Sequence, residues 1–242
     1  MPPSIFLSVI IPAYNEENRL RKSLPPVREY LQRQDFAWEV IVVDDGSSDN
    51  TSKVLEEIFS GGEARVLRNP GNRGKGYSVR QGVFAARGEV LLFSDADFST
   101  PIEEFGNLHS YLRDNFDIAI GSRALKESKL VVHQPWLRER VGRMFILFVR
   151  MIALKGFHDT QCGFKCFKRD AALKIFSKAT VDGFSFDVEL LFIAQRRGLR
   201  IKEVPVEWRD AKGSKVNVVK DSIRMLVDLC KIRVNFIRGV YD

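Results

Sequence analysis

The run Val90-Leu91-Leu92-Phe93-Ser94-Asp95-Ala96-Asp97 constrains this chain most. It has the length of one strand, is apolar almost throughout, and ends on two carboxylates one residue apart. A strand that is apolar on both faces belongs inside a parallel sheet, because an antiparallel strand with one wet face would alternate. Open α/β sheets bind their ligands at the carboxyl ends of the strands, which is where Asp95 and Asp97 fall. Two acids so close repel each other unless a cation lies between them. A hard divalent ion such as Mg²⁺ accepts one or two carboxylates and fills its remaining positions with substrate phosphates. The expectation is therefore a metal and diphosphate site at Asp95, Ala96 and Asp97. The alternative is that both acids cap a helix beginning near Pro101.

The preceding residues repeat the pattern. Ser8-Val9-Ile10-Ile11-Pro12 predicts a first strand stopped by Pro12, followed by Ala13, Tyr14 and Glu16 and a helix with Leu20, Leu24, Val27 and Leu31 on one face. Glu39 to Val43 predicts a second buried strand that ends on Asp44 and Asp45. The turn after it is rich in capping residues, with Ser48 or Asp49 the expected cap of a helix over 52–59. Arg65 to Arg68 is a short third strand, and Asn72-Arg73-Gly74-Lys75-Gly76 opens a helix over about 77–86. Strand and helix alternate, so the fold class is α/β with a doubly wound, mostly parallel sheet. Three polar loops then converge on one sheet edge and form a nucleotide crevice. Asp44 or Asp45 can accept hydrogen bonds from a base N–H, or can serve the helix cap. Asn72 and Lys75 can hold the outer oxygens of a diphosphate. No G-x-x-x-x-G-K-[ST] loop is present, which argues against a P-loop NTPase.

At 242 residues the chain fits one domain, with residues 1–119 as its nucleotide half and 120–242 as its second half. The halves differ in charge. Residues 1–119 hold 13 Lys and Arg against 18 Asp and Glu, a balance of −5; residues 120–242 hold 25 against 13, or +12. A basic half suits nucleic acid, an anionic membrane or a phosphorylated substrate. Nucleic acid is disfavoured, because the acidic pairs would repel a polyanion and no aromatics interleave a basic strand face. Three cysteines imply neither a disulfide framework nor, with Cys162 and Cys166 lacking a second pair, a zinc site. No window of about 18 apolar residues predicts a transmembrane helix, and no signal peptide is expected.

Taken in order, Ser8 to Glu17, Val42-Val43-Asp44-Asp45-Gly46-Ser47, Asn72 to Gly76 and Ser94-Asp95-Ala96-Asp97 resemble family 2 of the inverting glycosyltransferases, whose fold is called GT-A. Asp95-Ala96-Asp97 matches that family's D-x-D motif, which implies Mg²⁺ or Mn²⁺ at Asp95 and Asp97 and a nucleotide sugar across residues 12–16, Asp44–Asp45 and 72–75. Ser99 stands where related mannosyltransferases carry a metal-contacting Gln. Ile120-Gly121-Ser122-Arg123, His158 to Lys165 and Gly183 to Leu190 resemble the polyprenyl-phosphate branch. That branch implies transfer of glucose from UDP-glucose to dolichyl or polyprenyl phosphate, giving a β-linked product. Use of GDP-mannose, of another donor, or of a saccharide acceptor stays within the same resemblance, and a non-catalytic binding protein is the rival outside it.

A lipid phosphate explains the basic half. A phosphomonoester carries about −1.5 to −2 charges at pH 7 and is already nucleophilic. It needs cations more than a base. Arg123 is the leading candidate, because guanidinium grips phosphate at two points, with Lys165, Arg209, Lys212 and Lys215 in support. The family's base is an acid near the acceptor, and Asp159 and Asp187 match motif positions. Asp159 is expected nearer the anomeric carbon; Asp187, with Glu189, is expected to orient donor or acceptor groups, or to cap a helix over 188–197. Residues 136–154 and 220–238 interleave apolar and basic side chains as interfacial helices do. They dock on a membrane surface, cover the sheet, or drive oligomerisation. The expected location is peripheral, at the cytoplasmic face of a membrane. His109, His133 and His158 are expected to be incidental to the chemistry; His158 alone adjoins a motif, and a structural role is expected for it.

Overall fold

The computed structural model describes residues 4–59, 62–132, 149, 154, 156–209 and 218–242. Strand and helix alternate through the first half: β1 (Leu7–Ala13), α1 (Glu17–Gln32), β2 (Trp38–Asp44), α2 (Thr51–Ile58), β3 (Ala64–Arg68), α3 (Lys75–Ala85), β4 (Val90–Ser94) and α4 (Glu104–Arg113). The described part of the second half adds β5 (Ile118–Ser122), β6 (Lys129–Val132), β7 (Phe164–Lys168), α5 (Arg169–Phe176), α6 (Phe186–Arg196), β8 (Ile201–Pro205), β9 (Glu207–Arg209) and α7 (Val218–Ile237).

Seven strands form one sheet in the order β3-β2-β1-β4-β7-β5-β8, and β6 pairs with β9 beside it. Every neighbour pair in the large sheet is parallel except those made by β7, which runs antiparallel between β4 and β5. The sheet is thus mostly parallel, and β7 stitches the two halves together at its middle.

Why β4 is apolar throughout is visible in its two neighbours. Leu91 and Phe93 pack into the core on one face of the sheet, with side chains from α3, α5, α6 and α7. Val90 and Leu92 pack into the core on the other face, with side chains from α1, α2 and α4. A strand sandwiched in this way has no wet face on which to alternate. The four apolar positions expected on one side of α1, Leu20, Leu24, Val27 and Leu31, are all buried. Pro12 does not stop β1 as expected but lies inside it. The pairing of β1 with β4 ends at Ile10, so at Pro12 β1 has β2 as its one strand partner, the setting in which a residue without an N–H is tolerated.

Helix α7 turns Met225, Leu229 and Ile232 inward against the core. Its opposite side exposes Ile223 (60%), Val227 (63%), Val234 (43%) and Ile237 (81%). The expected helix over 136–154 lies outside the described residues apart from Val149 and Leu154, which are both buried in the core. His133, Lys212 and Lys215 also lie outside them.

Candidate active site

The crevice is assembled by loops that hold one another at the carboxyl ends of β1, β2 and β3. The Asn15 side-chain oxygen accepts from the Ser48 N–H (2.7 Å), and the Asn15 N–H donates to Ser47 Oγ (2.9 Å). The Glu16 N–H donates to Thr51 Oγ1 (2.9 Å), and Glu16 pairs with Arg19 at 3.1 Å. Gly46 has φ +78°, and a Cβ there would stand 2.6 Å from Gly71 Cα, so the second and third loops meet backbone to backbone. Glycine is needed on both counts.

Asp44 and Asp45 are buried and already engaged. Asp44 accepts from the Ser47 N–H (2.8 Å) and the Ser52 hydroxyl. Asp45 accepts from Asn69 Nδ2 (2.7 Å) and from the N–H groups of Arg73 (2.9 Å) and Gly74 (2.8 Å). These bonds fix the loop that carries Asn72 and delivers Lys75. The cap position of α2 falls to Asn50 rather than to Ser48 or Asp49, and Asp49, one residue before it, accepts from the Thr51 N–H at 3.0 Å. Tyr14 and Asn72 stand exposed at the mouth, and Pro12 is half-buried.

At the centre, Asp95, Lys75, Asp187 and Lys165 form a compact charge cluster. Lys75 Nζ lies 2.6 Å from Asp95 Oδ1, and Lys165 Nζ lies 2.6 Å from Asp187 Oδ1. Burial works against the Lys75 ammonium, but Asp95 and Asp187 outweigh it and hold its pKa above the ordinary lysine value. Burial pushes the Asp187 carboxyl up, a rise that Lys165 and Lys75 oppose without cancelling. Lys165 was expected on the acceptor's phosphate. It is instead 1% exposed, with its ammonium on Asp187 and on the Cys162 carbonyl (2.6 Å). The reason is its place on β7, between β4 and β5, where side chains point into the interior. Asp187, buried at 3%, lies in the first turn of α6; Ser185 holds the cap position there. Glu189 accepts from Thr180, Val181 and Tyr241 and braces the loop before α6.

Asp95 and Asp97 project just past β4. The Asp95 N–H donates to the Gly163 carbonyl (3.0 Å), and Asp97 Oδ1 accepts from the Ser99 N–H (3.0 Å). Among the described residues no group of three or more His, Cys, Asp or Glu side chains could hold a metal ion. Two carboxylates nonetheless suit a hard divalent ion that draws its other ligands from substrate phosphate and water. That Asp95 already meets an ammonium shows a carboxylate placed to receive positive charge. Asp95 and Asp97 therefore fit Mg²⁺ or Mn²⁺.

Beside this cluster, Arg123 donates from Nε to Asp159 Oδ2 (2.6 Å) and from Nη2 to Oδ1 (2.9 Å). Burial alone would raise the Asp159 pKa, but the Arg123 guanidinium and the N–H groups of Arg123 and Gln161 bring it down to about 2. The Trp208 ring lies 5.7 Å from Arg123 Cζ. Arg209 is exposed, pairs with Glu207 at 2.6 Å, and donates its N–H to the Ser99 carbonyl (2.8 Å). His109 packs between Phe6 and Phe105.

Two site residues, Glu203 and Asp182, escape sequence reasoning, and Gly163 enters it as part of a motif without a role. Glu203 accepts from the N–H groups of His158 and Asp159 and pairs with the His158 ring at 3.0 Å, so it orients the Asp159 turn. The Asp182 carbonyl accepts from the Gly76 N–H (2.8 Å) and seats the start of α3. A Cβ at Gly163 would lie 2.0 Å from Asp95 Oδ2. Of these only Gly163 leaves a trace in the sequence, as a glycine entering a strand.

A mostly parallel sheet with charged side chains gathered at its carboxyl edge is the setting in which α/β proteins bind their ligands, and the glycosyl transferase family 2 model matches residues 8–176. The chain belongs to glycosyltransferase family 2 and is a glycosyltransferase. It is 38% identical to a human dolichyl-phosphate beta-glucosyltransferase, over 99% of this chain and 78% of that protein. A Trichomonas vaginalis protein of the same description is 40% identical over 96% of this chain and 74% of its own length. The fold is of the GT-A type. Glucosyl-3-phosphoglycerate synthase from Mycobacterium tuberculosis, solved with Mn²⁺, UDP-glucose and phosphoglyceric acid, matches with a TM-score of 0.71 at 19% identity, over 95% of this chain and 79% of that one. Mannosyl-3-phosphoglycerate synthase from Rubrobacter xylanophilus gives 0.70 at 20% identity, over 97% and 74%.

Proposed function

We propose that the chain transfers glucose from UDP-glucose to dolichyl or another polyprenyl phosphate with inversion, giving a β-linked lipid-phosphate sugar. The observation that carries this reading is the near end-to-end match to proteins described as dolichyl-phosphate beta-glucosyltransferases. The acidic half, residues 1–119, holds the donor, and the basic half, 120–242, receives the acceptor. Nucleotide lies across residues 12–16, Asp44–Asp45 and 72–75, where Asp45 acts by holding the loop rather than by reaching the ligand. The donor's diphosphate faces Asp95–Asp97. When bound there, Mg²⁺ or Mn²⁺ supplies Lewis-acid relief of the charge that builds on the departing nucleoside diphosphate.

Arg123 receives the acceptor's phosphate. A guanidinium has five N–H donors; one on Nε and one on Nη2 are spent on Asp159, which leaves three held in a fixed plane. Asp159 serves this anchoring role better than the base role, because a carboxylate with a pKa of about 2 is a weak proton acceptor. An ionised phosphate needs little such help. Asp187 holds Lys165 and Lys75 in place, and Arg209 at the rim, with Lys215 outside the described residues, adds positive charge.

Helix α7 supports a peripheral seat on the cytoplasmic face of a membrane. Its exposed apolar stripe is flanked by exposed Arg224, Lys231, Arg233 and Arg238, the composition that binds anionic interfaces. Among the described residues no helix is long and apolar enough to cross a membrane.

Incubating the chain with polyprenyl phosphate and a panel of nucleotide sugars, with and without EDTA, tests the proposal. Lipid-linked glucose should form from UDP-glucose and be lost with EDTA. Transfer from GDP-mannose instead would overturn the donor assignment, and full rate in EDTA would overturn the metal.

A further inference from the structure

Lys75 is held more firmly than a side chain waiting for a ligand needs to be. Its backbone is pinned on both sides: Asp45 takes the Gly74 N–H at 2.8 Å, and the Asp182 carbonyl takes the Gly76 N–H at 2.8 Å. Its ammonium lies beside a pair of rings, 5.4 Å from the centre of Phe93 and 5.9 Å from that of Phe186. Asp95 Oδ1, at 2.6 Å from that ammonium, has almost no surface open to solvent. On the other side of the same carboxylate the chain at Gly163 passes so close that no Cβ fits.

One oxygen of Asp95 is therefore closed by an internal cation. We infer that Lys75 takes the cation's place on Asp95 while the donor is absent and gives it up when metal and donor diphosphate arrive together, so that metal binding depends on nucleotide. This rests on the reading of Asp95 and Asp97 as the metal and diphosphate site.

The charges around the cluster give the reason. Lys75 with Asp95 and Lys165 with Asp187 are two neutral pairs, so a divalent ion arriving alone meets two ammonium groups and must rely on Asp97 and the second oxygen of Asp95. The donor's paired phosphates change that balance, since they neutralise the ion and offer Lys75 another anion within reach. Because the backbone of residues 74–76 is fixed, the exchange needs motion only of the flexible four-carbon lysine stem.

Mn²⁺ binding to the full chain, followed by the loss of the free-ion EPR signal with and without UDP, tests the inference. The wild-type chain should bind Mn²⁺ weakly alone and at least tenfold more tightly with UDP. Lys75→Gln should bind Mn²⁺ alone at least tenfold more tightly than wild type and gain little from UDP. Lys75→Arg, which keeps the positive charge, should behave as wild type does; Lys75→Met replaces the Gln variant if that one does not fold. If the neutral variant binds Mn²⁺ no better than wild type while UDP still tightens both, Lys75 does not hold the position. If no variant binds Mn²⁺ with or without UDP, the metal reading itself falls, and the inference with it.

Discussion

Arg123 and Asp159 meet face to face, with the Nε to Oδ2 contact at 2.6 Å, Nη2 to Oδ1 at 2.9 Å, and the Arg123 N–H adding a third bond at 3.1 Å. Two parallel charge-assisted bonds fix the guanidinium plane as well as its position. The residue offered by its motif as a base is thus the anchor of the residue offered as the phosphate clamp.

Acid stability should reveal this pair. The folded pKa of Asp159, about 2, lies below the unfolded value of about 3.9. Its contribution, about 2 kcal/mol, is present above about pH 4 and is lost as pH falls through about 2. Asp159→Asn removes it and leaves a largely buried guanidinium unpaired, so the variant should be about 3 kcal/mol less stable at neutral pH. Its stability should also change less between pH 4 and 2 than that of wild type. Urea titrations across that range measure both effects.

Turnover should rank the acids differently. Asp97→Asn should lower kcat/KM about 100-fold or more, because it removes a group that acts where charge develops. Asp159→Asn should cost roughly tenfold, mainly as a higher KM for the acceptor, since an ionised phosphate needs little base assistance. Equal losses in parallel assays would refute the ranking.

Gly163→Ala is expected to disable the site while sparing the fold. The added carbon would meet Asp95 Oδ2 at 2.0 Å and drive the carboxylate aside. Mn²⁺ affinity in the presence of UDP and the transfer rate should each fall about tenfold or more. Far-UV circular dichroism should match wild type.

Membrane docking can be separated from chemistry. Val227→Asp with Ile237→Asp changes two exposed positions on the outer side of α7 and should leave UDP binding intact. Each apolar side chain is worth about 1.5–3 kcal/mol when fully buried, so flotation with anionic liposomes should weaken by tenfold or more. Unchanged flotation would place the stripe elsewhere than on a membrane.

How much of this is legible in the sequence differs from element to element. The burial of β4 is readable because a strand packed on both faces must be apolar at successive positions. The family is readable because four loop motifs fall in order after strands. The insertion of β7 between β4 and β5 is not, since Phe164-Lys165-Cys166-Phe167-Lys168 alternates like many strands and nothing local names its partners. Lys165 illustrates the consequence. Its residue type suggests a surface cation, and only its neighbours in the sheet turn it into a buried counter-ion for Asp187. Asp45 is similar, because its three donors come from residues 69–74, brought back by β3.

The sequence by itself determined the alternation of strand and helix, the sheet edge on which the acids gather, and the charge contrast between the halves. These are properties of residue order, set by side-chain periodicity and by which groups carry charge. Only the tertiary structure decided which cation answers which acid: Lys75 for Asp95, Lys165 for Asp187, Arg123 for Asp159. Ion pairing depends on separations of a few ångströms and on exclusion of water, and both arise only when strands distant in the chain lie side by side.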